Sequence, residues 1–191
     1  MSGSGTRPVG LLIGSLVGTV FGLVFVVVNS AELPGAWPLG VRVGGVVVAA
    51  VLLAGILRAG RLSRGEEAGD HRGFVDRRYW NIVGIEVVAL VAGLFVINQV
   101  LHRPSVAVAW IAVVVGVHFV GLGKLWHLGQ FFTLGLVMTA LGLVGFVLGG
   151  LQVSAGAIGL VAGVGSGVAL FVTVAVSLAR AGRTPAGSPA G

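Results

Sequence analysis

Two residues in this chain sit where ionisable side chains are costly to keep. Glu86 and His118 each interrupt a long apolar run. An isolated carboxylate in hydrocarbon costs on the order of several kcal/mol. It must find a partner, take up a proton or face water. An imidazole offers a hydrogen-bond donor or a cation, and it titrates near neutrality. The pair therefore reads in two ways. It is a polar clamp fastening two helices, or it is a proton- or ligand-responsive site. A third outcome leaves Glu86 reaching back to the headgroups.

Both readings require helices to bring the two residues together, and the composition says what surrounds those helices. Of 191 residues, 56% are hydrophobic and 9% charged. A soluble domain carries roughly 25% charged residues. Nine per cent cannot cover a water-exposed surface, and the mean hydropathy of +1.06 agrees. A membrane-spanning helix needs roughly 20 apolar residues. Six segments qualify, at about 9–28, 39–57, 81–101, 105–122, 131–148 and 153–178. They do not alternate polar with apolar residues, which rules out β-barrel strands. The expected fold is all-α: a polytopic bundle of six transmembrane helices, built as three antiparallel hairpins. Residues 1–183 read as one such domain, and residues 184–191 as a disordered tail of Pro, Gly, Ser and Ala. The first run is longer than the apolar core of a secretory signal, so it reads as a retained helix.

Depth can be matched across the third and fourth runs. Glu86 lies five residues into the third, about 8 Å below its end at 1.5 Å per residue. The two runs turn around His102 and Arg103. In an antiparallel hairpin, residues at equal depth have numbers summing to twice the turn centre. For a centre at residue 102 that sum is 204, which residues 86 and 118 satisfy. Equal depth does not fix the facing angle.

Small residues mark packing faces. Gly10, Gly14, Gly18 and Gly22 recur every four residues in the first run, and Ala155, Gly159, Gly163 and Gly167 do so in the sixth. Such spacing puts small residues on one helix face, where a second backbone approaches closely. Internal packing of the first helix on the sixth is the expectation, with a homo-oligomer interface as the alternative. Gly40, Gly44 and Gly45 give the second run a weaker version.

The basic residues set the orientation. One set of loops and ends holds Arg7, Arg58, Arg61, Arg64, Arg72, Arg77, Arg78, Lys124, Arg180 and Arg183, and the other holds Arg42 and Arg103. Cytoplasmic loops carry the excess of Lys and Arg. Both termini and the basic loop 59–79 are therefore expected in the cytoplasm, and the protein in the cell inner membrane. Arg77 and Arg78 abut the bilayer, where anionic lipid headgroups are their natural partners. The net charge of +6 is thus explained without nucleic acid. Trp37, Trp80 and Trp126 sit near run ends, where indole rings anchor at the interface. Arg42 is expected to pair with Glu32, and Asn98, Gln99, His102 and Arg103 gather at the outer end of the third run.

No catalytic or cofactor motif is visible. There is no Cys, no H-E-x-x-H, no P-loop lysine and no G-x-S-x-G. Single histidines on separate helices make no convincing metal or haem site. The segment Gly116-Val117-His118-Phe119 followed by Gly121-Leu122, with Glu86 in the preceding helix, resembles helices of small uncharacterised bacterial multi-pass integral membrane proteins. That resemblance implies no activity. The sequence therefore points to a non-enzymatic membrane protein with a structural or partner-assembly role. The alternative is a small transporter or channel-like protein with a proton- or solute-linked step at Glu86 and His118.

Overall fold

The computed structural model describes residues 8–62 and 77–182. These form six rods with no strand among the described residues. α1 is Pro8–Asn29 and α2 is Trp37–Leu62. α3 is Arg77–Phe95, continued by a π-helical turn at Val96–Val100. A 3-10 turn, Pro104–Val106, leads into α4 (Ala107–Leu125). α5 is Gly129–Gly150. The sixth rod is α6 (Ala155–Ile158), a π-helical turn (Gly159–Val164) and α7 (Gly165–Ala181). All six rods are long and apolar enough to cross a membrane. The tail 184–191, Arg183 and positions 63–76 of the basic loop lie outside the described residues. So do the side chains of Arg77 and Arg78 and the surroundings of Gly10.

Several helices run past their apolar stretches. α2 continues through Arg58 and Arg61, and α4 through Lys124. The rule of roughly 20 residues counts only what hydrocarbon must cover. A helix extends further wherever long cationic side chains can reach the headgroup level. Trp37 and Trp80 accordingly lie inside the first turns of α2 and α3 rather than ahead of them, and both are exposed. Three rods end on a non-glycine residue in the left-handed conformation: His102 (φ 51), His127 (φ 54) and Gln152 (φ 55). The chain then folds back onto the last turn. The Arg103 N–H donates to the Ile97 carbonyl, that of Leu128 to Gly123, and that of Val153 to Leu148. These bonds satisfy carbonyls that the helix ends leave open.

The bundle is ordered differently from the chain. α3 packs on α4, α4 on α5, and α5 on the sixth rod; the sixth rod packs on α1, and α1 on α2. The sixth rod is the hub, with 56% of its span buried in the protein, whereas only 6% of the α3 span is buried. α2 also packs on α7, whereas α3 leans mainly on α4, so α2 and α3, consecutive in sequence, are not close packing partners.

Glycine sets how closely the rods approach. In the α1 seam, a methyl built on Gly22 would meet the Phe171 ring at 2.7 Å, and one on Gly167 would meet the Gly22 carbonyl oxygen at 2.7 Å. Gly18 faces Val174, and Gly159 and Gly163 face Asn29. Gly14 takes no part, since a methyl there would meet nothing within 4 Å. In α2, Gly45 packs on Val26 while Gly40 and Gly44 are open. A second seam in which glycine lets backbone meet backbone lies between α4 and α5. A methyl on Gly135 would lie 2.5 Å from both the Gly116 carbonyl oxygen and the Val120 nitrogen, and one on Gly142 2.7 Å from the Ala109 carbonyl oxygen. The sequence signal for this seam is a seven-residue spacing: Gly116 and Gly123 in α4, and Gly135, Gly142 and Gly149 in α5. A search for four-residue spacing passes over it.

Arg42 does not pair with Glu32. Its Nε donates to the Val27 carbonyl at 3.2 Å and to Ser30 Oγ at 3.3 Å. The last carbonyls of α1 have no partner within their own helix, and Arg42 lies beside them. Ser30 is fully buried there.

Candidate functional site

α3 and α4 meet along one stripe each. Glu86, Ala89, Gly93 and Ile97 recur at helical spacing down α3, and Val106, Trp110 and His118 face them. Four contacts hold the hairpin. Near its closed end, Ile97 is buried with Val106 and Ile158. In the middle, the Trp110 ring lies against Gly93, where any β-carbon would collide with the indole. Its Nε1–H reaches across to donate to the Ala89 carbonyl at 3.2 Å. Near the open end, His118 Nδ1 lies 2.8 Å from Glu86 Oε2.

The depth of that last contact follows from the helix bounds. Glu86 is nine residues past Arg77, about 13 Å along the rod, but only three residues past Val83, where the apolar span of α3 begins. His118 is seven residues before Leu125, about 10 Å. Both lie within apolar spans. Their side chains keep 18% and 14% exposure respectively.

At 2.8 Å the ring nitrogen and the carboxylate oxygen are within ion-pair distance. The oxygen lies off the ring N–H direction, so the contact acts through charge and dipole more than through an aligned hydrogen bond. On its far side His118 meets the edge of Phe119, with ring centroids 5.7 Å apart. Phe119 in turn lies 5.8 Å from Phe131, and Phe131 6.2 Å from Trp126. An aromatic row thus runs from the polar pair toward the helix end.

Chemically, the arrangement can pair an acidic with a basic group and fasten two helices. Among the described residues no three His, Cys, Asp or Glu side chains converge as metal ligands would. The larger described groove, between α5 and α7, is not lined by Glu86 or His118. Nor is the smaller one of about 280 Å3, where His102, Arg103 and Ser105 face Gln152 at the other end of the bundle. Asn98 turns back on its own helix, donating to the Leu94 carbonyl at 2.8 Å.

Trp110 is the member of this contact that charge and motif reading passes over. The depth matching that pairs residues 86 and 118 also puts Gly93 and Trp110 within one position of each other, so the signal is present in the sequence. A comparable tie joins α5 to α7. Gln130 Nε2 donates to the Thr173 carbonyl at 2.8 Å and also contacts Ser177 Oγ.

No protein family, curated protein or solved structure matches the chain.

Proposed function

We propose that this multi-pass membrane protein is non-enzymatic and serves assembly: a glycine-packed body carries α3 as an outlying rod for a membrane partner. The observation behind this reading is the contrast within α3. It is the least covered span, 6% buried, yet it is tied to α4 by two polar contacts and a tryptophan seated on glycine. Exposed Ile85, Val88, Val91 and Phe95 form its outward surface. Glu86 and His118 are in this reading a clip that fixes the rod's rotation and depth.

The orientation supported by charge puts both termini in the cytoplasm, in a bacterial inner membrane. Arg58, Arg61, Lys124 and Arg180 lie at one end of the described bundle, and Arg42 and Arg103 at the other. Anionic headgroups would meet the first end, including Arg77 and Arg78. A second copy of the chain is one form the partner could take.

Photo-crosslinking in native membranes tests the assembly role. Photoreactive side chains at Ile85, Val88 or Phe95 should give protein adducts of defined mass, whereas the same probe at Val47 on the outer face of α2 should give lipid adducts. Lipid adducts alone at all the α3 positions would overturn the reading. The transport alternative draws support from one fact, an acidic and a basic side chain in contact within apolar spans. It requires proton or solute flux into proteoliposomes that Glu86→Gln abolishes.

A further inference from the structure

Two chain reversals lie side by side at one end of the bundle, and the hollow between them differs in chemistry from the apolar rods. The reversal from α3 to α4 lines it with His102, Arg103 and Ser105, and the reversal from α5 to α6 with Gln152 and Val153. Gly149 permits the approach, since a methyl there would collide with the Val106 side chain. Ile158 forms the floor, buried with Val106 and Ile97. The floor is thus apolar and packed, while the rim is polar. We infer that this hollow binds one oxyanion of the phosphate class, with Arg103 as its charged ligand and Ser105 and Gln152 as neutral donors.

Charge selects an anion. Arg103 is exposed, and among the described residues no hydrogen bond or ion pair engages its guanidinium; the bonds it makes are those of its backbone. No Asp or Glu lines the hollow, so a cation finds no counter-charge there. Glu32 approaches α6 through its backbone carbonyl, against Gly156, and is not part of the lining. A guanidinium presents paired N–H donors that match two oxygens of a phosphate. Among the described residues, no hydrogen bond occupies the Ser105 hydroxyl or the Gln152 side-chain amide, so both can donate as well. His102 turns its Nδ1 to the Val100 carbonyl, 3.2 Å away, and serves as wall.

Position and rigidity support the same occupant. The apolar spans end at Val100 and Gly150 and resume at Pro104 and Ala155. Arg103 and Gln152 therefore sit at headgroup level, within reach of lipid phosphates and dissolved anions alike. Both reversals are fixed by their own backbones. The Arg103 N–H holds the Ile97 carbonyl at 3.0 Å, and the Val153 N–H holds that of Leu148 at 3.0 Å. Gln152 is set in the left-handed conformation, with its N–H on the Gly149 carbonyl. The bases of the binding side chains are thus in place before a ligand arrives, which lowers the cost of ordering them.

Isothermal titration calorimetry of the intact protein in dodecyl maltoside, whose micelle carries no phosphate, tests the site. Inorganic phosphate and soluble dihexanoyl phosphatidylglycerol are titrated separately, at constant ionic strength set with chloride. Saturable binding of one ligand per chain is expected. Arg103→Ala should weaken it about tenfold or more, the worth of a hydrogen bond to a charged group. Arg103→Lys should recover part of that loss. Ser105→Ala and Gln152→Ala, on facing walls, should each weaken binding about threefold. Arg58→Ala, at the opposite end of the bundle, should leave it unchanged. Because Arg103 is bonded through its backbone, Arg103→Ala should keep the parent unfolding midpoint, which separates lost binding from a lost fold. Saturation by the phospholipid alone would identify the occupant as a lipid headgroup, and saturation by inorganic phosphate as well would identify it as a dissolved anion. Heats no different from chloride for both probes, or binding that survives Arg103→Ala, would overturn the site.

Discussion

The Glu86–His118 contact makes an asymmetric prediction. His118→Ala strips the carboxyl of the partner that lies 2.8 Å away. A polar group left unsatisfied in a largely covered site costs about 1–3 kcal/mol. Glu86 keeps 18% exposure, so some relief toward solvent or headgroups is open to it, and about 2 kcal/mol is expected. Glu86→Ala is milder, about 1 kcal/mol, because a neutral imidazole tolerates an apolar neighbour better than a carboxylate does. The double variant should cost no more than His118→Ala alone, which gives a coupling near 1 kcal/mol. That value sits within the range for interhelical polar pairs in bilayers, where cycles average about 0.6 and reach about 1.7 kcal/mol. Glu86→Gln should lose much of the coupling, since it removes the charge and leaves an amide oxygen off the Nδ1–H direction. The assay is equilibrium unfolding in mixed detergent micelles, followed by far-UV circular dichroism. Single-variant costs that add within about 0.3 kcal/mol would show that the two side chains are neighbours without interacting.

The glycine seams give a paired test with the same unfolding assay. Gly135→Ala forces a methyl against backbone atoms at 2.5 Å, which no rotamer relieves, and should cost about 2–3 kcal/mol. Gly14→Ala meets nothing within 4 Å and should instead stabilise the helix, by up to about 1 kcal/mol. Trp110→Phe removes the donor to the Ala89 carbonyl and should cost about 1 kcal/mol, additive with His118→Ala at two turns' distance. His127→Gly relieves a left-handed backbone at an exposed helix end and should raise stability by about 1 kcal/mol; an unchanged or lower unfolding midpoint would contradict that.

What could be read from the residues follows from what each signal depends on. Six rods are legible because hydrocarbon imposes a length and a composition on any segment that crosses it. The 86/118 depth match is legible because a short turn fixes the register of a hairpin. Helix ends are less so: α2 continues to Leu62 because snorkelling arginines carry a helix past the apolar run. The order of the rods is not written in any one of them. α4 and α5 approach through glycines seven apart, a pattern that also arises by chance among 34 glycines. The Arg42 partner depended on carbonyls at the end of α1, which side-chain charges do not advertise. The two π-helical turns leave no mark of their own in the sequence; the one at Gly159–Val164 lies where Asn29 presses on Gly159 and Gly163.

α1 packs most extensively on the sixth rod, which follows it at a long distance in the chain. Gly22 and Gly167 are 145 positions apart in the chain. At a synthesis rate of about 5–20 residues per second, the nascent α1 waits roughly 7–30 s for that surface to be covered. A message truncated anywhere ahead of α6 leaves the glycine seam permanently bare, and such fragments should be cleared by membrane proteases far faster than the full chain. The sixth rod thus closes a surface that α1 has carried bare since its own synthesis.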